Sequence, residues 1–182
     1  MTNKLHPLQQ ISFTHANQAY VVEASAGTGK TWTIERLFIK ALLEATQPDN
    51  LLIPLAIENI LVVTFTNDAT DELKQRISEQ IQTTINQIIY LNNQFEQEQI
   101  PATNQDIFLE YLLARQTNSA VNLRKKLFLQ DLTLLTRALQ NFDQAAIYTI
   151  HGFCNRILQD YQFECQTPAE FELLASKTQL ID

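Results

Sequence analysis

Cysteine is scarce in this chain, and its scarcity excludes two kinds of protein. Among 182 residues there are two cysteines, Cys154 and Cys165. Two thiols cannot form the disulfide framework of a small secreted protein, so a reducing, cytoplasmic setting is expected. Together with the nearby His151 they also fall short of the four ligands that structural zinc requires, so no metal site is predicted from these residues.

Glycine is equally rare, and long apolar runs are missing. Two of the three glycines, Gly27 and Gly29, lie in one short segment, so the rest of the chain has few tight turns and is expected to be helix-rich. No signal peptide or membrane-length apolar segment precedes the first predicted strand, so no membrane association is expected. With 45% apolar residues, the chain has enough material for one ordinary core.

Basic residues are outnumbered by acidic ones, 13 to 20, which gives a formal net charge of −7. Proteins that coat nucleic acid through general electrostatics normally display a basic surface. This class is therefore not favoured, and any contact with DNA is expected to be local.

The strongest chemical signal is a glycine loop between an apolar segment and a helical one. Residues 20–31 read Tyr-Val-Val-Glu-Ala-Ser-Ala-Gly-Thr-Gly-Lys-Thr. This predicts a strand, a tight loop and a helix that begins at Lys30. Backbone N–H groups and the helix dipole then bind phosphate, Lys30 reaches the β- and γ-phosphates, and the Thr31 hydroxyl is a ligand for Mg²⁺. We therefore predict a nucleoside triphosphate site, with Lys30 and Thr31 as its catalytic side chains.

The predicted phosphate cradle departs from the general pattern at one position. The pattern begins with glycine, where this chain has Ala24. A glycine-rich turn that merely precedes Lys-Thr is the structural alternative. The predicted nucleotide-binding residues are Ala24, Ser25, Ala26, Gly27, Thr28, Gly29, Lys30 and Thr31.

Hydrophobic periodicity predicts a partly parallel α/β sheet with an all-helical excursion. Strands are predicted at the segment before the loop, at 60–64 and at 146–150, with the second covered on both faces. Helices are predicted at 30–44, from Asp68 through Ile88, at 105–116, at 119–140 and after His151-Gly152, and residues 92–104 are predicted as a loop. The predicted apolar side of helix 119–140 carries Leu123, Leu127, Leu134 and Ala138.

Three blocks stand at the carboxyl ends of the predicted strands, where open α/β sheets bind ligands. They read Glu-Ala-Ser-Ala-Gly-Thr-Gly-Lys-Thr, Val-Val-Thr-Phe-Thr-Asn-Asp-Ala-Thr-Asp-Glu-Leu-Lys-Gln-Arg-Ile and Tyr-Thr-Ile-His-Gly-Phe-Cys-Asn-Arg-Ile-Leu. In order and wording they resemble the opening motifs of the UvrD/Rep-type superfamily-one DNA helicases, in particular the beta subunits of exodeoxyribonuclease V.

The resemblance implies a P-loop NTPase of RecA-like fold, in which the first block binds ATP with Mg²⁺ at Thr31. Alanine is common at the first position of that block in the family, which accounts for Ala24. Implied partners are single-stranded and duplex DNA ends, and the gamma and alpha subunits of the same enzyme. The residues implied in DNA contact are Thr64, Phe65, Thr66, Asn67, His151 and Gly152.

Several of these residues have structural alternatives. Phe65 and Phe153 follow apolar strands and are alternatively core residues. His151 is alternatively a turn residue that bonds its own backbone. The basic side chains Lys74, Arg76 and Arg156 are expected to be solvated helix-face charges rather than DNA contacts.

The resemblance divides the chain into the first part of an ATP-binding motor domain at 1–90 and a helical insertion at 91–144. Residues 145–182 are then a return to the motor domain and the start of the next helical segment, and the later motor and nuclease domains are expected to be absent. No acidic pair follows an apolar strand, and Asp71-Glu72 suits the first turn of a helix instead. An N-terminal piece of a longer helicase and exonuclease subunit, which binds ATP without hydrolysing it appreciably, is therefore expected. A small P-loop phosphotransferase and a helical protein-interaction module are the alternatives.

Overall fold

The computed structural model describes residues 6–13, 18–23, 25, 27, 29–44, 55–98, 106–117 and 121–162, and side chains from residue 124 onward in the last range. Helices predominate there, as predicted. Short 3₁₀ turns lie at Ile57–Asn59 and Phe142–Gln144. The other elements in chain order are α1 (Pro7–Gln10), α2 (Lys30–Glu44), β1 (Val62–Thr64), α3 (Asn67–Glu96), α4 (Ile107–Thr117), α5 (Val121–Gln140), β2 (Ile147–Thr149) and α6 (Ile150–Asp160).

Helix α3 is the longest element and forms the centre of the packing. Apolar side chains recur every three or four residues along it, from Leu73 to Leu91, so that one continuous stripe is buried. The helix continues to Glu96, so the prediction of a loop over residues 92–104 was wrong for its first part, residues 92–96. Leu91 and Phe95 extend the apolar stripe, and the guanidinium of Arg124 lies 4.5 Å from the Phe95 ring centroid. Packing therefore outweighs the weak helix preference of Asn92 and Asn93.

The other helices pack around α3 in a single hydrophobic cluster. Helices α2, α4 and α5 all contribute buried side chains to it, among them Ile39, Phe108 and Leu135. On α5 the prediction of the apolar side was partly wrong. Ala138 is buried as predicted, but Leu127 and Leu134 are only half-buried, and the Leu123 side chain lies outside the described ones. Two adjacent faces of α5 carry apolar residues at helical spacing, so the sequence does not show which face is buried. Contact with α3 decides that.

The sheet has two parallel strands, β1 and β2, with Val62, Val63 and Thr64 opposite Ile147, Tyr148 and Thr149. Parallel pairing was predicted, but coverage of β1 on both faces was wrong, since Val63 is 42% exposed. The strand predicted before the glycine loop was also wrong. Residues 18–23 form no strand, and Val21 is 89% exposed. An apolar run specifies a preference for burial, but a strand also needs a neighbour with free ladder positions.

No helix in the described part of the chain has the length and apolar character needed to cross a bilayer.

Candidate functional site

The glycine loop opens helix α2 as its sequence predicts. Gly27 and Gly29 have φ of +76° and +81°, the left-handed region that glycine adopts without strain. Lys30 is the first residue of α2, and the Thr33 N–H donates to the Gly29 carbonyl at 2.9 Å to close the first helical turn. Of the predicted cradle, Ala24, Ala26 and Thr28 lie outside the described residues.

An open cleft of about 450 Å³ borders this loop. Helix α1 forms one side, and the first two turns of α2 form the other. Its volume falls within the usual range of about 300 to 1,000 Å³ for small-molecule sites. Polar Ser25, Lys30 and Thr33 and acidic Glu23 share the lining with apolar residues. The lining residues are His6, Pro7, Val22, Glu23, Ser25, Lys30, Thr33, Ile34 and Leu37.

The second and third sequence blocks meet at one edge of the sheet. Thr64 and Thr149 are register partners at the carboxyl ends of β1 and β2. Helix α3 begins three residues after Thr64, and α6 begins directly after Thr149. The structure therefore brings residues 64–67 together with 151–152. No strand brings the glycine loop into the same ladder, since residues 18–23 do not join it.

Threonine hydroxyls cap both helices that leave this edge. The Thr66 hydroxyl accepts from the Ala69 N–H at 3.2 Å, and the Thr149 hydroxyl accepts from the Gly152 N–H at 3.0 Å. His151 and Gly152 therefore lie inside the first turn of α6, and the prediction that they separate the strand from this helix was wrong. A Cβ on Gly152 would lie 3.1 Å from the Thr149 hydroxyl oxygen, which favours glycine there.

The two aromatic residues of these blocks have different surroundings. Phe65 is 86% exposed, so the core alternative does not hold for it. Phe153 is half-buried, and its ring centroid lies 6.5 Å from that of Tyr148. His151 is exposed. An exposed phenylalanine at the end of a strand is available for stacking on a planar partner.

Arg76 is more than the solvated charge that its sequence position indicates. Its guanidinium lies 3.6 Å from a carboxylate oxygen of Glu35 on α2 and 2.7 Å from Glu72 on its own helix. Glu35 is buried, and the neighbouring Arg36 guanidinium lies 3.2 Å from its other oxygen. Burial lowers the pKa of Arg36, and the charge of Glu35 opposes that shift. This ion-pair group connects the helix after the glycine loop with the helix after β1.

The remaining candidates are the cysteines and the basic side chains of α3 and α6. The described residues contain no group of three or more His, Cys, Asp or Glu side chains that could hold an ion. Cys154 is exposed with a free thiol, and Cys165 lies outside the described residues. Arg156 lies 3.5 Å from Asp160 and also bonds the Tyr148 hydroxyl. Lys74 is half-buried.

A glycine loop that opens a helix, together with a small parallel sheet whose strand ends pass into capped helices, is consistent with a P-loop NTPase. Comparison with known proteins narrows this class. The chain belongs to the UvrD/REP helicase N-terminal domain family, because the sequence model of that family matches residues 5–181.

Several similar proteins are RecB subunits of the RecBCD enzyme. The RecBCD enzyme subunit RecB of Haemophilus influenzae is 40% identical over 175 residues, which is 96% of this chain and 13% of that protein. The RecB subunit of Escherichia coli is 34% identical over 160 residues, 88% of this chain and 12% of that protein. The RecB subunit of Chlamydia pneumoniae is 35% identical over 143 residues, 78% of this chain and 11% of that protein. The chain thus spans about an eighth of the length of the relatives it matches.

Proposed function

We propose that this chain is the N-terminal ATP-binding part of an ATP-dependent DNA helicase and exonuclease subunit of the RecB type, which processes DNA ends in recombinational repair. The observation that carries the proposal is the glycine loop, with left-handed Gly27 and Gly29, at the start of α2 and beside an open cleft. Family membership over residues 5–181 supports the same function.

In the nucleotide site, the backbone of residues 24–31 would bind the phosphates of ATP. Lys30 would place its ammonium against the β- and γ-phosphates, and the Thr31 hydroxyl would be a magnesium ligand. Bound Mg²⁺ would neutralise charge on the phosphate oxygens. The N-terminus of the 15-residue helix α2 adds a favourable dipole for an anion.

At the edge of the sheet, residues 64–67 and 151–152 would contact single-stranded DNA. Their common position at the sheet edge and the exposure of Phe65 support the assignment. The N-termini of α3 and α6 both follow this edge, so their dipoles favour the phosphates of a strand that crosses it. Such local contacts suit a chain whose net charge is −7.

The proposal extends to the rest of the longer protein. Residues 1–90 would begin a RecA-like motor domain, 91–144 would be its helical insertion and 145–182 the return to it. The partners would be DNA ends and the RecC and RecD subunits, in the cytoplasm. Because no acidic pair after a strand is evident in the sequence, this chain would bind ATP without appreciable turnover.

Titration of a fluorescent ATP analogue against Lys30→Ala tests the nucleotide site. The lost charge-assisted bonds should weaken binding by about tenfold to a hundredfold. Lys125→Ala is the matched control, because Lys125 is an exposed lysine on α5. Equal affinity of the two variants would refute the site. ATP turnover that disappears with Lys30→Ala would show instead that the chain is catalytically complete.

The two alternatives give different results with the same variant. A small phosphotransferase would transfer labelled γ-phosphate to a panel of acceptor nucleotides, and this transfer would depend on Lys30. A helical interaction module would bind its partner protein equally well with Lys30→Ala.

A further inference from the structure

Thr70, a residue without an assigned role, lies behind the exposed loop of residues 64–67. It belongs to the first turn of α3 and is 6% exposed. Its hydroxyl oxygen lies 2.6 Å from that of Thr64 and 2.9 Å from the Thr66 carbonyl oxygen. The Thr64 hydroxyl lies 3.1 Å from the same carbonyl. Two hydroxyls and one carbonyl thus form a closed triangle beneath the loop.

The protons of this triangle are all used within it. Each threonine hydroxyl has one proton to donate. In one arrangement Thr70 donates to the Thr66 carbonyl, and Thr64 donates to the Thr70 hydroxyl across the 2.6 Å contact. In the other, Thr64 donates to the Thr66 carbonyl, and Thr70 donates to the Thr64 hydroxyl. In both arrangements Thr64 has no proton left for a phosphate oxygen, which can only accept.

Phe65 lies between the two residues that the triangle holds. The Thr64 hydroxyl and the Thr66 carbonyl both bond the Thr70 hydroxyl of α3, so the residues on both sides of Phe65 are held to this helix. The Thr66 hydroxyl accepts from Ala69 and keeps its own proton in that bond. Of the two threonines in this loop, Thr66 rather than Thr64 therefore has a hydroxyl proton to donate to a phosphate oxygen.

We propose that Thr70 is a positioning residue that, with Thr64, fixes the loop so that Phe65 and the Thr66 hydroxyl are presented to single-stranded DNA. The proposal rests on the proposed function of the loop. It changes the role of Thr64, which then holds the loop in place rather than contacting DNA itself. A prefixed loop binds more tightly because less conformational entropy is lost on binding.

Variants of Thr70 test this in a fluorescence anisotropy titration with a labelled oligothymidine. Thr70→Val keeps the shape but loses the hydroxyl, and binding should weaken by about fivefold to tenfold. Thr70→Ser should restore binding to the wild-type value. Thr84→Val is the control, because Thr84 is a buried threonine of α3 whose hydroxyl donates to the Gln80 carbonyl at 2.7 Å. It should bind as the wild type does.

A double-variant cycle tests whether Thr70 acts through Phe65. Phe65→Ala should weaken binding by at least about fivefold through lost stacking. If Thr70 acts mainly by presenting the ring, adding Thr70→Val to Phe65→Ala should weaken binding by less than twofold further. Fully multiplied effects would overturn the proposal.

Hydrogen exchange without DNA gives a second readout. Thr70→Val should accelerate exchange of the Ala69 amide, which is bonded to Thr66, and Thr70→Ser should not. Unchanged exchange in Thr70→Val would overturn the proposal.

The failures are distinguishable. If the wild type does not bind the oligonucleotide, or Phe65→Ala binds as the wild type does, the DNA role of the loop is refuted along with the proposed function at this edge. If Phe65→Ala weakens binding but Thr70→Val does not, the positioning role alone is refuted.

Discussion

Replacement of Asp131 should disrupt the attachment of α4 and α5 to each other. The carboxylate is fully buried and accepts bonds from Arg115 Nε at 2.9 Å, Arg115 Nη2 at 2.8 Å and Gln116 Nε2 at 3.2 Å. Burial disfavours the charged Arg115 guanidinium, but the bonds and charge of Asp131 outweigh burial and raise the pKa of Arg115. Because α5 packs on α3, the pair also connects α4 to the core.

The size of the effect follows from what each variant leaves unpaired. Asp131→Ala leaves a largely buried guanidinium without its counter-charge, so the free energy of unfolding should fall by about 3 to 5 kcal/mol. For a chain of this length that corresponds to a fall in Tm of roughly 6 to 20 °C. Asp131→Asn keeps one acceptor oxygen but also removes the counter-charge, so it should lose a similar amount, about 3 to 5 kcal/mol. The double variant Arg115→Met with Asp131→Leu should recover most of the loss, because it leaves no buried charge unpaired.

Urea unfolding followed by circular dichroism measures these differences. Asp160→Asn is the control, because Asp160 pairs with Arg156 at the surface, with both side chains more than half exposed. It should change stability by at most about 1 kcal/mol. If Asp131→Ala unfolds within about 1 kcal/mol of the wild type, or if the double variant is no more stable than Asp131→Ala, the reasoning from the buried pair is wrong.

Three further predictions concern single side chains. Burial raises the pKa of Tyr111 well above its ordinary 10.0, so above pH 10 the folded protein keeps a proton that the unfolded chain releases. Stability should then fall by up to about 1.4 kcal/mol per pH unit, and Tyr111→Phe should remove that part of the slope in urea midpoints measured from pH 9 to 11. Thr149→Ala removes the cap of α6 and should destabilise by about 0.5 to 2 kcal/mol, with faster hydrogen exchange at Gly152. Gly29→Ala forces a side chain at φ +81°, at a strain of about 1 to 2 kcal/mol, and should weaken binding of the ATP analogue; unchanged affinity would contradict the assigned loop geometry.

Helices were the most predictable elements of the fold. The predicted helix 30–44 matches α2, because the glycine loop marks its start and its apolar residues recur at helical spacing. The loop predicted at 92–104 failed at its beginning, where contact of Phe95 with the core and Arg124 continues α3. The strand predicted before the glycine loop failed because burial of Val21 depends on a neighbouring strand, which its own sequence does not specify.

The backbone geometry of the glycine loop was predictable because it depends on neighbours in sequence. The glycine loop, the Lys-Thr pair and the family itself could be read from short blocks, because φ at a glycine and the start of a helix depend on adjacent residues. Thr70 and the Arg76–Glu35 pair were not predicted to matter. Thr70 bonds Thr64, which lies six positions earlier and before the start of α3, and Arg76 contacts Glu35 on α2. Neither contact follows from periodicity within one helix.

Local sequence was therefore sufficient to specify that most helices exist, that a glycine loop opens α2, and the family. Packing decided which strand ends meet, so that Thr64 lies beside Thr149, and which charges are buried together, as in the Arg115–Asp131 pair. The physical reason is that periodicity records how much of a residue should be buried, whereas its partner depends on the register and rotation of elements far away in the chain.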